Sequence, residues 1–124
     1  MVTWYIAADG DDIGRRLEYF TLTNNTEELS SFSARFGNGM QWFKKELESR
    51  LGAYIIFSGG DNLMASINSP DNPYVAIEQI RVLFKKKGDG TLSVGIGQTP
   101  RDAYFALKIA KASGKNCAQV FSNI

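Results

Sequence analysis

Histidine is absent from this chain of 124 residues. Its absence removes catalysis by an imidazole base, and with it the usual zinc sites, whose ligands are His and Cys. Cysteine occurs once, at Cys117, which excludes an internal disulfide and is neutral about compartment. A cytoplasmic setting is the default expectation. No apolar run approaches the ~18 residues that a membrane-crossing helix needs, and no signal-peptide pattern is present, so membrane insertion is not expected. Neither sign of charge is in excess: 14 Lys and Arg against 13 Asp and Glu leave +1, which provides no broad basic surface for DNA. Any catalysis by this chain has to run on carboxylates, lysines, backbone amides and a hard metal such as Mg²⁺ or Mn²⁺.

What is present is an ordinary globular balance, 44% hydrophobic and 22% charged, over a length that suits one domain, residues 1–124. "VTWYIAA" reads as a buried strand that ends in "DGDDIG", Asp9 to Gly14. A short helical piece follows, with Ile13, Leu17 and Phe20 on one face, and then a "TLTNNT" loop. Leu29, Phe32, Phe36, Met40, Phe43, Leu47 and Leu51 recur at steps of three and four, a helical stripe weakened by Gly37 and Gly39. Strands are predicted at 53–58 and 62–67 around the Ser58-Gly59-Gly60-Asp61 turn, a helix over 74–86, and a strand at "LSVGIG". Thr99-Pro100-Arg101-Asp102 is a helix start, and Gly114 its stop. "AQVFSN" reads as a last strand. The order is βαββαβ followed by αβ, and its first six elements are the ferredoxin-like signature. The expected fold is therefore α+β, a ferredoxin-like palm with an antiparallel central sheet and helices packed on one face.

That order gives the turn a second meaning. In a ferredoxin-like sheet the first and third strands are central, antiparallel neighbours. Asp9 at the end of one and Asp61 at the start of the other then meet at one sheet edge. Two like charges there are costly unless a cation lies between them, and Mg²⁺ or Mn²⁺ suits two carboxylates. Asp11 and Asp12 are candidates to add ligands. Taken singly, each motif has a plainer reading. "DGDDIG" is a strand-to-helix loop with an Asx cap, against metal binding at Asp9 and phosphate binding by the amides from Gly10 through Ile13 to Gly14. "SGGDN" is a hairpin turn. In "AKASGKN", Lys111 and Lys115 are helix-end cations, or they grip a polyphosphate. Arg15, Arg16 and "FKKK" read as solvated, Trp4, Trp42 and the Phe stripe as core, and Cys117 as a small apolar filler.

The set "DGDDIG", "SGGDN", "LSVGIG" and "ALKIAKASGKN" resembles the palm domains of GGDEF nucleotide cyclases and of the large subunit of type III CRISPR complexes. The short "DGDDIG" form and the small size look most like the minimal CRISPR polymerases. The resemblance covers nearly the whole chain and implies synthesis of cyclic oligonucleotide signals in anti-phage defence. It implies metal ligation by Asp9, Asp61 and the backbone of Gly10. It also implies substrate approach over Ser58, Gly59 and Gly60, and phosphate contacts at Lys111 and Lys115. The sequence departs from the pattern in two places. Asn62 stands where the CRISPR palm usually has a second Asp, which weakens one ligand or passes its role to Asp11 or Asp12. Leu17 stands about where diguanylate cyclases read guanine, and no Arg-x-x-Asp motif precedes Gly59.

The resulting expectation is an enzyme that condenses ATP with loss of pyrophosphate, using Asp9, Asp61 and Asn62 and two Mg²⁺ or Mn²⁺ ions. It is expected to act as a homodimer, because ring closure needs two facing nucleotides, and to serve a downstream effector that senses the product. The rival from another class is a degenerate palm that only binds a nucleotide and regulates a partner. A ferredoxin-like RNA-binding fold is a third, weaker option, since "LSVGIG" offers no aromatics for stacking bases.

Overall fold

The computed structural model describes residues 1–122. In chain order its elements are β1 (Val2–Gly10), α1 (Ile13–Leu22), α2 (Thr26–Leu51), β2 (Tyr54–Ser58), β3 (Asn62–Ser69), α3 (Tyr74–Gly88), β4 (Leu92–Gly97), α4 (Pro100–Ala112) and β5 (Ala118–Val120). The five strands form one sheet in the order β2-β3-β1-β4-β5. β1 is central and antiparallel to both neighbours, pairing Asp9 with Asn62 on one side and with Ser93 on the other. β5 joins β4 in parallel. The α+β class and the ferredoxin-like order are thus as expected.

The helices differ from expectation in their placement, because they cover both faces of the sheet. Strand side chains alternate between faces. Trp4, Ile6 and Ala8 of β1, with Leu92, Val94 and Ile96 of β4, look toward α1, α2 and α3 and share the main core with Phe32, Phe36, Phe43, Ile77, Ile80 and Phe84. Tyr5 and Ala7 look the other way and pack with Met64 against Ala103 and Leu107 of α4. The physical cause is legible in β4, every residue of which is buried. A strand buried on both faces needs a layer on each, and the small side of β4 admits a helix at close range. A Cβ on Gly95 would run into the backbone of Ala103, Ala106 and Leu107.

Helix boundaries were set by packing more than by propensity. α2 runs unbroken through Gly37 and Gly39 for 26 residues, because Gly39 lies directly against Gly88 of α3, where any side chain would collide with backbone. The helix stops where Gly52 takes a left-handed φ of 64°, its N–H donating to the Glu48 carbonyl and the Ala53 N–H to the Leu47 carbonyl. α1 extends through Leu22, so the expected loop shrinks to residues 23–25. α3 continues to Gly88 and ends on the left-handed Asp89. Asp89 is itself gripped by Arg35 and Arg16, and Arg16 lies 4.0 Å over the Phe32 ring. Arg16 therefore holds α1 against α2 and α3, where the sequence suggested only a solvated cation. α4 begins as expected, with the Thr99 hydroxyl accepting the Asp102 N–H at 3.1 Å.

The close β4–α4 approach yields a stability prediction. Gly95→Ala should destabilise the chain by about 3 kcal/mol, the upper end for an overpacked core, since only backbone could yield. Gly14→Ala, in open space, should stay within about 0.5 kcal/mol of wild type or better. Urea unfolding of the two variants measures both.

Candidate active site

The C-terminal end of β1 and the N-terminal end of β3 meet at one edge of the sheet. The Gly10 N–H donates to the Asp61 carbonyl at 2.8 Å, and the Gly59 N–H donates to the Asn62 carbonyl at 2.8 Å, closing the hairpin turn. The residue directly across from Asp9 is Asn62. Asp61 sits one position beyond the ladder. The edge therefore opens onto two hollows. A cavity of about 400 Å³ on the α1–α2 side is lined by Gly60, Asp61, Gly14, Leu17, Phe32 and Ser33, among others. A smaller one, about 180 Å³, lies on the α4 side and includes Asp9, Asn62, Phe57, Tyr104, Lys108 and Lys111. Strand alternation explains the split, since Asp9 shares its face with Tyr5 and Ala7, toward α4.

Lys111, in the last turn of α4, reaches back across this edge. Its ammonium donates to the Gly10 carbonyl at 2.8 Å and to Asp11 Oδ1 at 2.8 Å, and lies 3.3 Å from Asp9 Oδ2. Asp11 does not project outward as a spare ligand. Its side chain is only 4% exposed. Oδ1 accepts from Lys111 and from the Ser93 hydroxyl at 2.6 Å, while Oδ2 accepts from the Thr91 hydroxyl at 2.7 Å and the Asn116 N–H at 2.9 Å. Asp12 is partly exposed and engaged by Lys115 at 2.5 Å and by Arg15 at 3.8 Å. It occupies the N-cap position of α1 with a left-handed φ of 58°, yet its side chain makes no capping bond.

The titration of these groups follows their surroundings. Burial raises the Asp9 pKa above the ordinary carboxylate value, Lys111 opposes that, and the nearby charges of Asp61 and Asp11 add to it. Burial pushes Asp11 the same way, but the hydrogen bonds from Lys111, Ser93, Thr91 and Asn116 outweigh it and hold the carboxyl below its usual range. Burial disfavours the Lys111 ammonium, and the two aspartates more than offset this, so it stays charged.

The predicted residues divide accordingly. Asp9, Gly10, Asn62 and Lys111 come together at the sheet edge, with Gly59, Gly60 and Asp61 in the adjoining turn. Ile13 and Gly14 form the first turn of α1 and line the larger cavity. Ser58 is paired with Leu63 in the β2–β3 ladder. Asp11 and Asp12 are turned to lysines, Asp11 inward with every acceptor site in use, because α4 brings Lys111 over it. Sequence reasoning missed Thr91, Ser93 and Asn116. Ser93 carried a signal: a hydroxyl inside an otherwise apolar buried strand requires a partner. It also took Phe32 and Phe36 as core alone, whereas they also wall the cavity.

Asp9, Asp61 and the Gly10 carbonyl are hard oxygen donors of the type Mg²⁺ and Mn²⁺ take. Among the described residues no three His, Cys, Asp or Glu side chains converge as a metal cage. The donor set fits an ion that completes its shell with water and substrate phosphates, as Mg²⁺ commonly does with one or two carboxylates.

The family model described as mCpol, the minimal CRISPR polymerase domain, matches residues 5–121. Among solved structures, the active GGEEF domain of a diguanylate cyclase from Vibrio cholerae superposes with a TM-score of 0.67 at 16% identity, covering 98% of this chain and 84% of that one. The GGDEF domain of DgcB from Caulobacter crescentus in complex with c-di-GMP gives 0.62 at 14% identity, covering 95% and 77%. An EAL/GGDEF domain protein from M. capsulatus gives 0.59 at 18%, covering 98% and 85%. At these identities the likeness establishes the fold. No curated protein matches the chain.

The opposite pKa shifts of Asp9 and Asp11 make a paired prediction. The raised carboxyl of Asp9 binds its proton more readily in the folded chain than in the unfolded one, so its ionisation weakens the fold as pH rises through the ordinary carboxylate range. Asp9→Asn should therefore melt no lower than wild type at pH 7. The lowered carboxyl of Asp11 contributes stability that is fully present above the unfolded pKa and lost as pH falls through the folded one. Asp11→Asn should melt lower at pH 7, with the gap narrowing in acid. Thermal melts from pH 7 down to about 3 record both.

Proposed function

Because the chain belongs to the minimal CRISPR polymerase family, we propose that it is a metal-dependent nucleotidyltransferase. It condenses ATP into a cyclic oligonucleotide signal, cyclic di-AMP or a small cyclic oligoadenylate, with release of pyrophosphate, in anti-phage defence. The observation that carries this reading is the sheet edge where Asp9, the Gly10 carbonyl and the Asp61 turn meet beneath the half-buried Lys111. Bound Mg²⁺ or Mn²⁺, two ions per site, would supply acidity to the attacking ribose hydroxyl and charge neutralisation to the leaving pyrophosphate. Asp9, Asp61 and Gly10 are the residues that would hold them, with the Asn62 amide oxygen as a neutral neighbour.

The remaining work falls to the chain's own groups. Lys111 and Lys115 meet the triphosphate as point charges. The amides of Ile13 and Gly14 add donors at the start of α1. The turn at Ser58, Gly59 and Gly60 is the face over which the substrate approaches. The larger cavity takes the base between Leu17, Phe32 and Phe36, with the Ser33 hydroxyl as its polar contact. An apolar wall with Leu17 in it suits adenine better than guanine, whose recognition calls for paired polar side chains. Positioning and charge stabilisation supply most of the rate in such transfers. One chain presents one nucleotide, so the working unit is a homodimer in the cytoplasm, and its product acts on a separate effector. The diguanylate cyclase relatives of this fold support a cyclase reading.

A degenerate, regulatory palm is the second reading, favoured by Asn62, an amide directly across from Asp9 where a carboxylate would strengthen the ligand set. Pyrophosphate release from ATP with Mn²⁺ or Mg²⁺ separates the two. ATP binding with no release selects the regulatory module.

Asp61→Asn keeps the turn and removes the charge, so it should abolish product formation while the melting temperature stays level or rises. Retention of most activity would remove Asp61 from the metal site. Activity per chain should climb with protein concentration below the dimer constant and then level off. A flat profile down to concentrations where sedimentation shows only monomer excludes the dimer. A cyclic di-GMP product from equal ATP and GTP overturns the base assignment, and mass spectrometry of the products reads it directly.

A further inference from the structure

We propose that Asp11 is the positioning residue of this site: its buried carboxylate fixes the Lys111 ammonium in front of Asp9 and Gly10 and sets the turn that carries Lys115, without itself meeting substrate. The task assigned to the two lysines rests on the nucleotidyltransferase reading.

The geometry excludes the role that "DGDD" suggests on paper. A carboxylate has about four acceptor sites, and Asp11 uses four: Lys111 and Ser93 on one oxygen, Thr91 and the Asn116 N–H on the other. None is left for a metal or a phosphate-bound water. Three of these donors are fixed points of the fold. Ser93 lies in β4 with no exposure, Thr91 enters the same strand and also accepts the Asp11 N–H at 3.0 Å, and Asn116 is held by Arg81 from α3 at 2.6 Å. The fourth is Lys111, which hangs on a flexible four-carbon stem and has no such anchor of its own.

The other two contacts of Lys111, the Gly10 carbonyl and Asp9, are groups that face the substrate. Once these engage a ligand, Asp11 is the remaining tether that keeps the ammonium at the edge. The same carboxylate orders the second lysine. Lys115 and Asn116 adopt left-handed φ values of 67° and 49° in succession, a conformation that non-glycine residues hold only when their surroundings impose it. The Asn116 N–H bond to Asp11 and the Lys115 N–H bond to Ala110 at 3.0 Å impose it. A lysine at the end of α4 and another in the turn after it are thus aimed by one inward carboxylate.

Lysine acetylation followed by mass spectrometry tests the tether directly, with no dependence on catalysis. In wild type Lys111 should label far more slowly than Lys44, Lys85 or Lys86. Asp11→Asn should raise its rate about tenfold, the scale of one lost charge-assisted hydrogen bond, and leave those three unchanged. If Asp11→Asn does not fold, Thr91→Val loosens the same carboxylate while keeping its charge, and should raise Lys111 labelling about twofold to threefold. Unchanged Lys111 labelling in the variants that fold overturns the proposal.

A binding cycle with inorganic tripolyphosphate separates positioning from general stability. Asp11→Asn should weaken binding about tenfold in wild type and leave it unchanged in a Lys111→Ala, Lys115→Ala background, because the residue acts through those two lysines. Equal penalties in both backgrounds assign Asp11 a structural role and overturn the proposal. Wild type that binds no tripolyphosphate counts against the nucleotidyltransferase reading, and the labelling result then decides the tether alone.

Discussion

The antiparallel register of β1 against β3 is the constraint on which the site depends. With Asp9 opposite Asn62 and the Gly10 N–H bonded to the Asp61 carbonyl, two motifs more than fifty residues apart in sequence share one sheet edge. A slip of one residue would send every β1 side chain to the opposite face. Asp9 would then point at α2, and Ile6 and Ala8 would leave the main core. The apolar pattern that builds the core is thus the same pattern that aims the carboxylate. The fold does not need a separate device to place Asp9, because the cost of exposing Ile6 already enforces its orientation.

Electrostatics then determines what kind of edge this is. Three aspartates within one short stretch and Asp61 across the turn would repel if left unpaired. The chain sorts them by depth. Asp11 is taken inward and satisfied by two hydroxyls, a backbone N–H and a lysine, which lowers its pKa. Asp12 is left near solvent with Lys115. Asp9 stays partly buried with its pKa raised, a carboxylate whose charge the protein only partly compensates. The metal binding proposed for this edge rests on that incompletely compensated charge. Lys111 bridges the satisfied and unsatisfied groups, so the same ammonium belongs to the packing of α4 and to the charge balance of the edge.

The layering of the sheet makes that bridge possible. Helices on one face alone would leave the Asp9 side of β1 open to water, with no lysine over it. The small residues Ala7, Gly95 and Gly97 bring α4 onto that face, and its last turn delivers Lys111. The second lysine follows from the sharp turn needed to bring β5 back beside β4. On the opposite face α1 and α2 leave a cavity beside Asp61, walled by aromatic residues whose other sides belong to the core. The two hollows at one edge give the site a bilateral form, a roomy apolar side and a narrower charged side.

Much of this was determined by sequence alone. The apolar run of β1, the glycine turn, the capped start at Thr99 and the three-four stripe of α2 are local signals, each legible within a short stretch of chain. Their order implies the ferredoxin-like topology, and the topology by itself brings Asp9 and Asp61 to one edge. What only the tertiary structure decided is everything that depends on which face a helix covers and on how deep a side chain lies. The face chosen by α4, the passage of α2 through Gly37 and Gly39, the work of Arg16 between helices and the inward turn of Asp11 all depend on partners distant in sequence. "DGDD" presents three similar aspartates, and no local rule ranks them. Their difference arises from Ser93, Thr91, Asn116 and Lys111, some eighty to a hundred residues away, because burial and hydrogen bonding act through space while sequence patterns report only neighbours along the chain.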